Sequence, residues 1–154
     1  MLAYLKDALK KGAKYCAYQE RCHKEVYNKL RSLKLTEDEA NELISILISK
    51  DYLNEERFAD LYTRSKFNQK QWGRVRIERE LKLKDISPRN IKKALEQLDK
   101  PIYREVLTNV MQKKLNTLHE GNIWKTRKKL CDYALRKGFE SYLVYDISDE
   151  ITNE

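Results

Sequence analysis

At 154 residues the chain is in the range of a single domain, able to bury about two thirds of its unfolded surface. With 36% charged residues and a formal net charge of +8, it favours a polyanionic partner (nucleic acid, an acidic protein face or a phospholipid surface) unless the surplus merely solvates a helical surface. Three cysteines without a C-x-x-C pair exclude a disulfide framework and a zinc knuckle and fit a reducing cytosol, while four glycines and two prolines are too few to punctuate a β-rich fold.

In chain order, residues 2–17 are predicted to form a first helix with Leu5, Ala8, Leu9 and Cys16 near one face. Lys6, Asp7, Lys10 and Lys11 interrupt its apolar residues, so no secretory leader is expected here. A second helix, 20–32, stacks Val26, Leu30 and Leu33. Thr36 followed by Glu39 is a capping box: the hydroxyl takes the N3 amide and the carboxylate returns to the cap. The third helix then carries Ala40, Leu43, Ile44 and Leu47, and its nearly apolar run 43–48 is far too short to span a bilayer. Asn54 is the expected cap of a fourth helix, with Glu55 and Glu56 at the positive end of its dipole and Phe58, Leu61, Tyr62 and Ser65 as its stripe.

Gln71, Trp72 and Gly73 read as the end of that helix and a tight turn. The fifth helix points Ile77 and Leu81 inward. Ser87-Pro88 starts the sixth, lined by Ile91, Ala94, Leu95 and Leu98. Pro101 opens a seventh whose stripe is Val106, Leu107, Val110, Met111, Leu115 and Leu118. Gly121-Asn122 is a turn and cap before an eighth helix with Ile123, Leu130 and Ala134 inward. Gly138 closes it as a left-handed residue. A short ninth helix, 140–147, turns Leu143, Val144 and Ile147 inward, and the polar tail Ser148 to Glu154 is expected to fray.

One pattern occurs three times: Val26, Leu30, Leu35, Thr36; then Ile77, Leu81, Ile86, Ser87; then, less cleanly, Leu130, Ala134, Phe139, Glu140. The spacing is 51 residues from Leu35 to Ile86 and 53 from Ile86 to Phe139. A helical period near fifty marks an array of supersecondary units, here three helices each over 1–53, 54–100 and 101–154. An array offers surface rather than an enclosed pocket, which favours binding over catalysis.

The net charge of the three segments is +2, +5 and +1, so the surplus sits in the middle one. From Arg64 to Lys84 eight bases face two acids, Glu78 and Glu80. Arg64, Lys66, Lys70, Arg74, Arg76, Arg79 and Lys82 are the candidate contact set, since guanidinium grips phosphate or carboxylate bidentately. Gly73, at a helix start, is expected to leave backbone N–H groups open to an anion. The competing reading is a solvated face with pairs such as Glu78–Lys82. A second candidate basic contact is Lys125, Lys128, Lys129, Arg136 and Lys137 (with Arg127 beside them), although these spread around a helix.

Residue sets for chemistry are missing. Neither His23 nor His119 has a ligand at i+4, so no metal is expected. No phosphate-cradling glycine motif is present, so no cofactor is expected and the chain reads as a non-enzyme. Cys16, Cys22 and Cys131 read as small apolar fillers, and most of the ten tyrosines as amphipathic packing with the hydroxyl at the surface.

Lys50-Asp51-Tyr52-Leu53-Asn54-Glu55-Glu56-Arg57-Phe58-Ala59, then Arg64-Ser65, then Gly73-x-x-Arg76-Ile77-x-x-Glu80-Leu81, resembles the central signature of the RecX family, bacterial modulators of the RecA recombinase. Arg21-x-x-x-Glu25-Val26-x-x-Lys29-Leu30 resembles that family's first repeat and Arg136-Lys137-Gly138-Phe139 the turn of its third, so the likeness runs from Tyr15 to Ile147. It implies an all-α fold of three tandem three-helix repeats in an elongated, curved molecule. It also implies a monomeric, cytoplasmic, non-membrane protein that binds the RecA–DNA filament. Its action would be to inhibit RecA ATPase and strand exchange, modulating recombination, DNA repair and the SOS response. Direct binding to single- or double-stranded DNA by a sequence-nonspecific helical module is the alternative. Within the signature, Phe58 and Ala59 are expected in the core, and Arg57 is expected to tie adjacent helices through a carboxylate.

Overall fold

The periodic apolar positions become helices. In the computed structural model, which describes residues 1–119 and 121–153, these are α1 (Ala3–Tyr18), α2 (His23–Ser32), α3 (Glu37–Ser49), α4 (Glu55–Ser65), a π-helical turn (Lys66–Lys70), α5 (Arg74–Leu83), α6 (Pro88–Glu96), α7 (Lys100–Thr117), α8 (Ile123–Arg136) and α9 (Ser141–Thr152). The described residues contain no strand. The fold is all-α, as the sequence implies.

The threefold pattern has one structural cause. α2, α5 and α8 each end on a residue with positive φ: Lys34 at 68°, Asp85 at 60° and Gly138 at 96°. The next residue, Leu35, Ile86 or Phe139, drops into the core at 4%, 5% and 1% exposure. In the second and third copies its amide reaches back to a helical carbonyl, Ile86 to Leu81 at 3.1 Å and Phe139 to Ala134 at 3.4 Å, which satisfies an orphan acceptor of the last turn. The polar residue that follows opens the next helix. Thr36 forms the expected capping box with Glu39, at 3.2 Å and 2.9 Å. Ser87 Oγ accepts from the Asn90 amide. Glu140 makes no cap bond with its side chain, and its carboxylate is engaged elsewhere.

The chain packs as two compact units, residues 1–62 with 81–92, and residues 63–80 with 93–154. In the first, α1, α2 and α3 enclose Ala8, Cys16, Val26, Leu30, Leu35, Ala40, Leu43, Ile44, Leu47 and Leu53. Arg57, from the first turn of α4, ties this unit together. Its Nε donates to Glu20 at 2.6 Å, and its Nη atoms donate to the Asp51 carboxylate and carbonyl at 3.1 and 3.0 Å. Asn54 caps α4 by accepting the Arg57 amide at 2.9 Å. Glu55 accepts from Ser87 Oγ and Asn90 Nδ2, joining the starts of α4 and α6. In the second unit α7, α8 and α9 bury Leu107, Val110, Met111, Leu130, Ala134, Val144 and Ile147 around a run of rings, Phe67–Tyr103–Phe139, with centroids 5.6 and 5.3 Å apart.

Several expectations are corrected. α2 begins at His23 rather than Glu20: the Cys22 amide and thiol both donate to Glu25, while Arg21 bonds the Tyr15 carbonyl and lies 3.7 Å over its ring, holding 19–22 as a link. Leu61 is 41% exposed, because the buried line of α4 and its π extension runs Ala59, Thr63, Phe67 and a residue two on from Ala59 faces away. Ile123, the first residue of α8, is 43% exposed, and the inward line of that helix is Thr126, Leu130, Ala134. The stripe of α7 begins at Tyr103, 1% exposed, one turn before the expected first position Val106. The tail does not fray at Ser148. α9 runs to Thr152, with Ser148 buried and Arg127 bonded to Thr152 Oγ1 and Asn153 Oδ1; Glu154 lies outside the described residues.

Phe58 is 6% exposed and touches Tyr62 at 5.7 Å between ring centroids. Truncation to alanine removes a ring from a closed site, so Phe58→Ala is expected to cost about 3–5 kcal/mol in urea unfolding.

Candidate functional site

The basic residues of the second unit are placed by the amino end of α5. A helix start carries four N–H groups without helical partners. Here three of them are taken: the Gly73 amide donates to the Lys137 carbonyl at 2.8 Å, Val75 to Gly138 at 2.9 Å, and Arg74 to the Tyr103 hydroxyl at 2.9 Å. This overturns the expectation that Gly73 leaves amides open to an anion. Its lack of a side chain serves packing, since a Cβ at 73 would stand 2.4 Å from the carbonyl carbon and oxygen of Gly138. The reciprocal limit holds at Gly138, where a Cβ would fall 2.2 Å from that of Arg76, at a φ of 96° that side chains rarely adopt. The Gly73-x-x-Arg76 and Arg136-Lys137-Gly138-Phe139 motifs therefore meet each other.

Arg74 is part of this joint. Its guanidinium lies 3.8 Å over the Tyr103 ring and 2.9 Å from Glu140, and the Tyr103 hydroxyl donates to the same carboxylate. Burial, and then the bond to Glu140, push the Tyr103 phenol up, so it remains a donor. Arg76 stacks 4.0 Å over Trp72, with its Nε buried and without an acceptor. Lys137 lies beside it, its ammonium held below the usual lysine range by burial and by the Arg76 charge. Outward from there, Arg79 of α5 and Arg136 of α8 line an open depression of about 420 Å³ with Asp132 and Leu135. The structure thus joins the two basic clusters that the sequence presents separately.

The other predicted contacts are distributed. Arg64 reaches Gln97 at 3.4 Å, Lys66 lies 5.1 Å from the Trp72 ring, and Lys70 is exposed at the end of the π turn. Lys82 is exposed in 81–92, the stretch that packs with the first unit. On α8, Lys128 pairs with Asp132 at 3.2 Å, while Lys125 and Lys129 are exposed on positions that do not line the Arg79–Arg136 depression. Sequence reasoning missed Tyr103, Glu140 and Asp132. The weak third copy of the repeat, with Glu140 where a hydroxyl cap belongs, was the available signal.

Cys16, Cys22 and Cys131 are buried, and burial pushes the Cys22 thiol up to about 11, so its thiolate is scarce at neutral pH. Among the described residues no group of three or more His, Cys, Asp or Glu gathers as a metal site would, and no helix is long and apolar enough to cross a membrane.

What the helices and this joint define is a class: a protein helical throughout its regular elements among the described residues, with a basic depression between the middle of α5 and the end of α8. Residues 54–95 match the family model described as RecX, second three-helix domain. The chain is 28% identical over 140 residues to the regulatory protein RecX of Bacillus cytotoxicus, covering 91% of this chain and 52% of that one. To the regulatory protein RecX of Listeria monocytogenes it is 25% identical over 150 residues, covering 97% and 56%. The chain spans about half the length of the curated relatives it matches. The crystal structure of RecX from Lactobacillus salivarius superposes with a TM-score of 0.86 at 28% identity over 96% of both chains. A second crystal structure, of a regulatory protein RecX, shares the fold at a TM-score of 0.83 and 21% identity, covering 95% of this chain and 72% of that one. The resemblance to the RecX regulatory proteins is thus shown in sequence and in fold.

The joint makes a sharp mutational contrast. Gly73→Ala is expected to destabilise the protein by about 1–3 kcal/mol or more, because its Cβ meets backbone, whereas Gly121→Ala, with nothing within 4 Å, should stay within about 0.5 kcal/mol of wild type in urea unfolding.

Proposed function

We propose that the protein is a regulator that binds the RecA–DNA filament and inhibits RecA ATPase and strand exchange, acting as a cytoplasmic monomer without catalysing a reaction itself. The observation that carries this reading is the likeness to RecX proteins in order and spacing along nearly the whole chain. The repeat organisation proposed with it is 1–53, 54–100 and 101–154. For the contact face we propose the Arg79–Arg136 depression with Arg76 and Lys137 near it; Arg64, Lys66, Lys70 and, in the first unit, Lys82 are proposed as further basic positions, without a placement relative to that depression. Arg74 has a positioning role, since its charge is already matched by Glu140. A guanidinium pair suits acidic recombinase surface or exposed phosphate through bidentate bonds.

The experiment is RecA ATPase on single-stranded DNA, titrated with wild type and with the double variant Arg79→Glu, Arg136→Glu. Inhibition by wild type is expected, with the variant needing about tenfold more protein, a loss of about 1.4 kcal/mol in binding, while its far-ultraviolet circular dichroism and urea midpoint are retained. Equal inhibition by a folded variant rejects this face, and absence of inhibition by wild type rejects the function. Tight binding to naked duplex whose log affinity falls with log salt by about −0.9 per phosphate contact, without effect on the ATPase, would establish the DNA-binding alternative instead.

A further inference from the structure

The cation–ring contacts of the second unit link end to end. Lys114 of α7 lies 4.9 Å from the centre of the Tyr133 ring, and Lys137, at the end of α8, lies 5.7 Å from the same ring. The backbone then brings Lys137 to α5, since the Gly73 amide donates to the Lys137 carbonyl at 2.8 Å and the Val75 amide to Gly138 at 2.9 Å. Burial, and then the Arg76 charge, hold the Lys137 ammonium low, so these two cations feel each other. Arg76 in turn stacks 4.0 Å over Trp72, and Lys66 of the π-helical turn lies 5.1 Å from that ring. The order is Lys114, Tyr133, Lys137, Arg76, Trp72, Lys66: four cations and two rings, all half-buried, so that each keeps part of its side chain in solvent.

Three of the four cations have no acid to match them. Among the described residues Lys114, Arg76 and Lys137 form no ion pair. Asp132, next to Tyr133 in sequence, pairs with Lys128 and lines the Arg79–Arg136 depression; it also lines a second open depression, of about 350 Å³, on the α9 side of α8, with Trp124, Tyr145 and Asp149. Cations gathered without countercharge repel one another, and a polyanion relieves that repulsion. A ring beside a cation holds it without cancelling its charge. The alternation selects among polyanions. A single nucleic-acid strand itself alternates phosphate with an unpaired planar base, and sites for it combine a basic groove with aromatic side chains. A duplex keeps its bases stacked on each other, and a run of acidic residues brings charge without rings. Half-buried cations are also reached more readily by a flexible strand than by a stiff duplex.

We propose that this row, crossing from α7 over the end of α8 to α5 and the π-helical turn, binds a single nucleic-acid strand, with phosphates at Lys114, Lys137, Arg76 and Lys66 and bases against the exposed parts of Tyr133 and Trp72. It shares Arg76 and Lys137 with the proposed recombinase contact but needs no recombinase. The test is fluorescence anisotropy of the full chain with labelled oligothymidylate, with the same strand as a duplex with oligoadenylate, and with polyglutamate as competitor. Wild type should bind the single strand at least about fivefold more tightly than the duplex, with log affinity falling against log salt by about −0.7 per phosphate contact, or about −2.8 for four. Lys114→Gln and Lys137→Gln together should reduce that slope by about 1.4, whereas Lys128→Gln, outside the row, should leave it unchanged. In Trp124→Phe, whose one remaining tryptophan is Trp72, the single strand should quench the fluorescence. The proposal is overturned if the single strand does not bind at about 50 mM salt, if the duplex binds as tightly, if the full slope survives in the folded double variant, or if Trp72 fluorescence does not respond. Displacement of the strand by polyglutamate at equal charge would also overturn it, assigning the row to an acidic protein segment. Because no recombinase is present, failure here and failure of ATPase inhibition are separate results.

Discussion

The backbone contact between Gly73 and Gly138 is the constraint on which the second unit depends. Two chain segments approach so closely that neither position has room for a methyl group. In return, the amides that open α5 donate to the carbonyls of Lys137 and Gly138. A helix start is normally satisfied by a capping side chain or by water; here the turn after α8 does that work. The arrangement fixes both ends of the joint, since the same turn that supplies acceptors to α5 also sends Phe139 into the core at 1% exposure.

Around Tyr103 the polar groups are matched rather than merely adjacent. Tyr103 accepts from the Arg74 amide, donates to Glu140 and stacks under the Arg74 guanidinium. A buried phenol with both functions satisfied, beside an ion pair that is only partly exposed, is a network in which loss of one member strands the others. The consequence for function is geometric. With Arg74 held inward, the next turn of α5 places Arg79 against Arg136, and the basic depression follows from the joint rather than from local charge density.

The sequence made the helices and their repeat legible because both depend on short-range rules. A left-handed residue closing a helix, an apolar residue anchoring the turn and a polar residue opening the next helix leave marks within about ten positions, as at Leu30 to Thr36 and at Leu81 to Ser87. The joint was not legible because its partners are far apart in sequence, as Gly73 and Gly138 are, and a glycine between Trp72 and Arg74 reads equally well as a turn or an anion cradle. Tyr103 was hidden for a similar reason: amphipathic tyrosines usually keep the hydroxyl in water, and only the arrival of Glu140 and the Arg74 amide makes burial of this one favourable. Ile123 failed in the other direction, because periodicity states which face a residue occupies and not how far the core extends beneath it, and Leu61 failed because the buried line of α4 runs along another face.

Net charge was the weakest guide to the site. Of the bases in 64–84, Arg74 neutralises Glu140 and Arg76 lies on Trp72, while elsewhere Arg57 and Arg104 each bridge two carboxylates. Several individual bases are therefore committed within the fold, and what distinguishes Arg79 and Arg136 is convergence. Asp132 sharpens the contrast, since it lines both depressions of α8, the basic one and the aromatic one. Its pairing with Lys128 removes its charge from neither side completely, because an exposed ion pair in high dielectric is worth little. A carboxylate in that position disfavours a continuous track of phosphates along α8. The two flanks of α8 therefore differ in chemistry, with guanidinium groups on one and aromatic rings on the other, and Asp132 on the line between them.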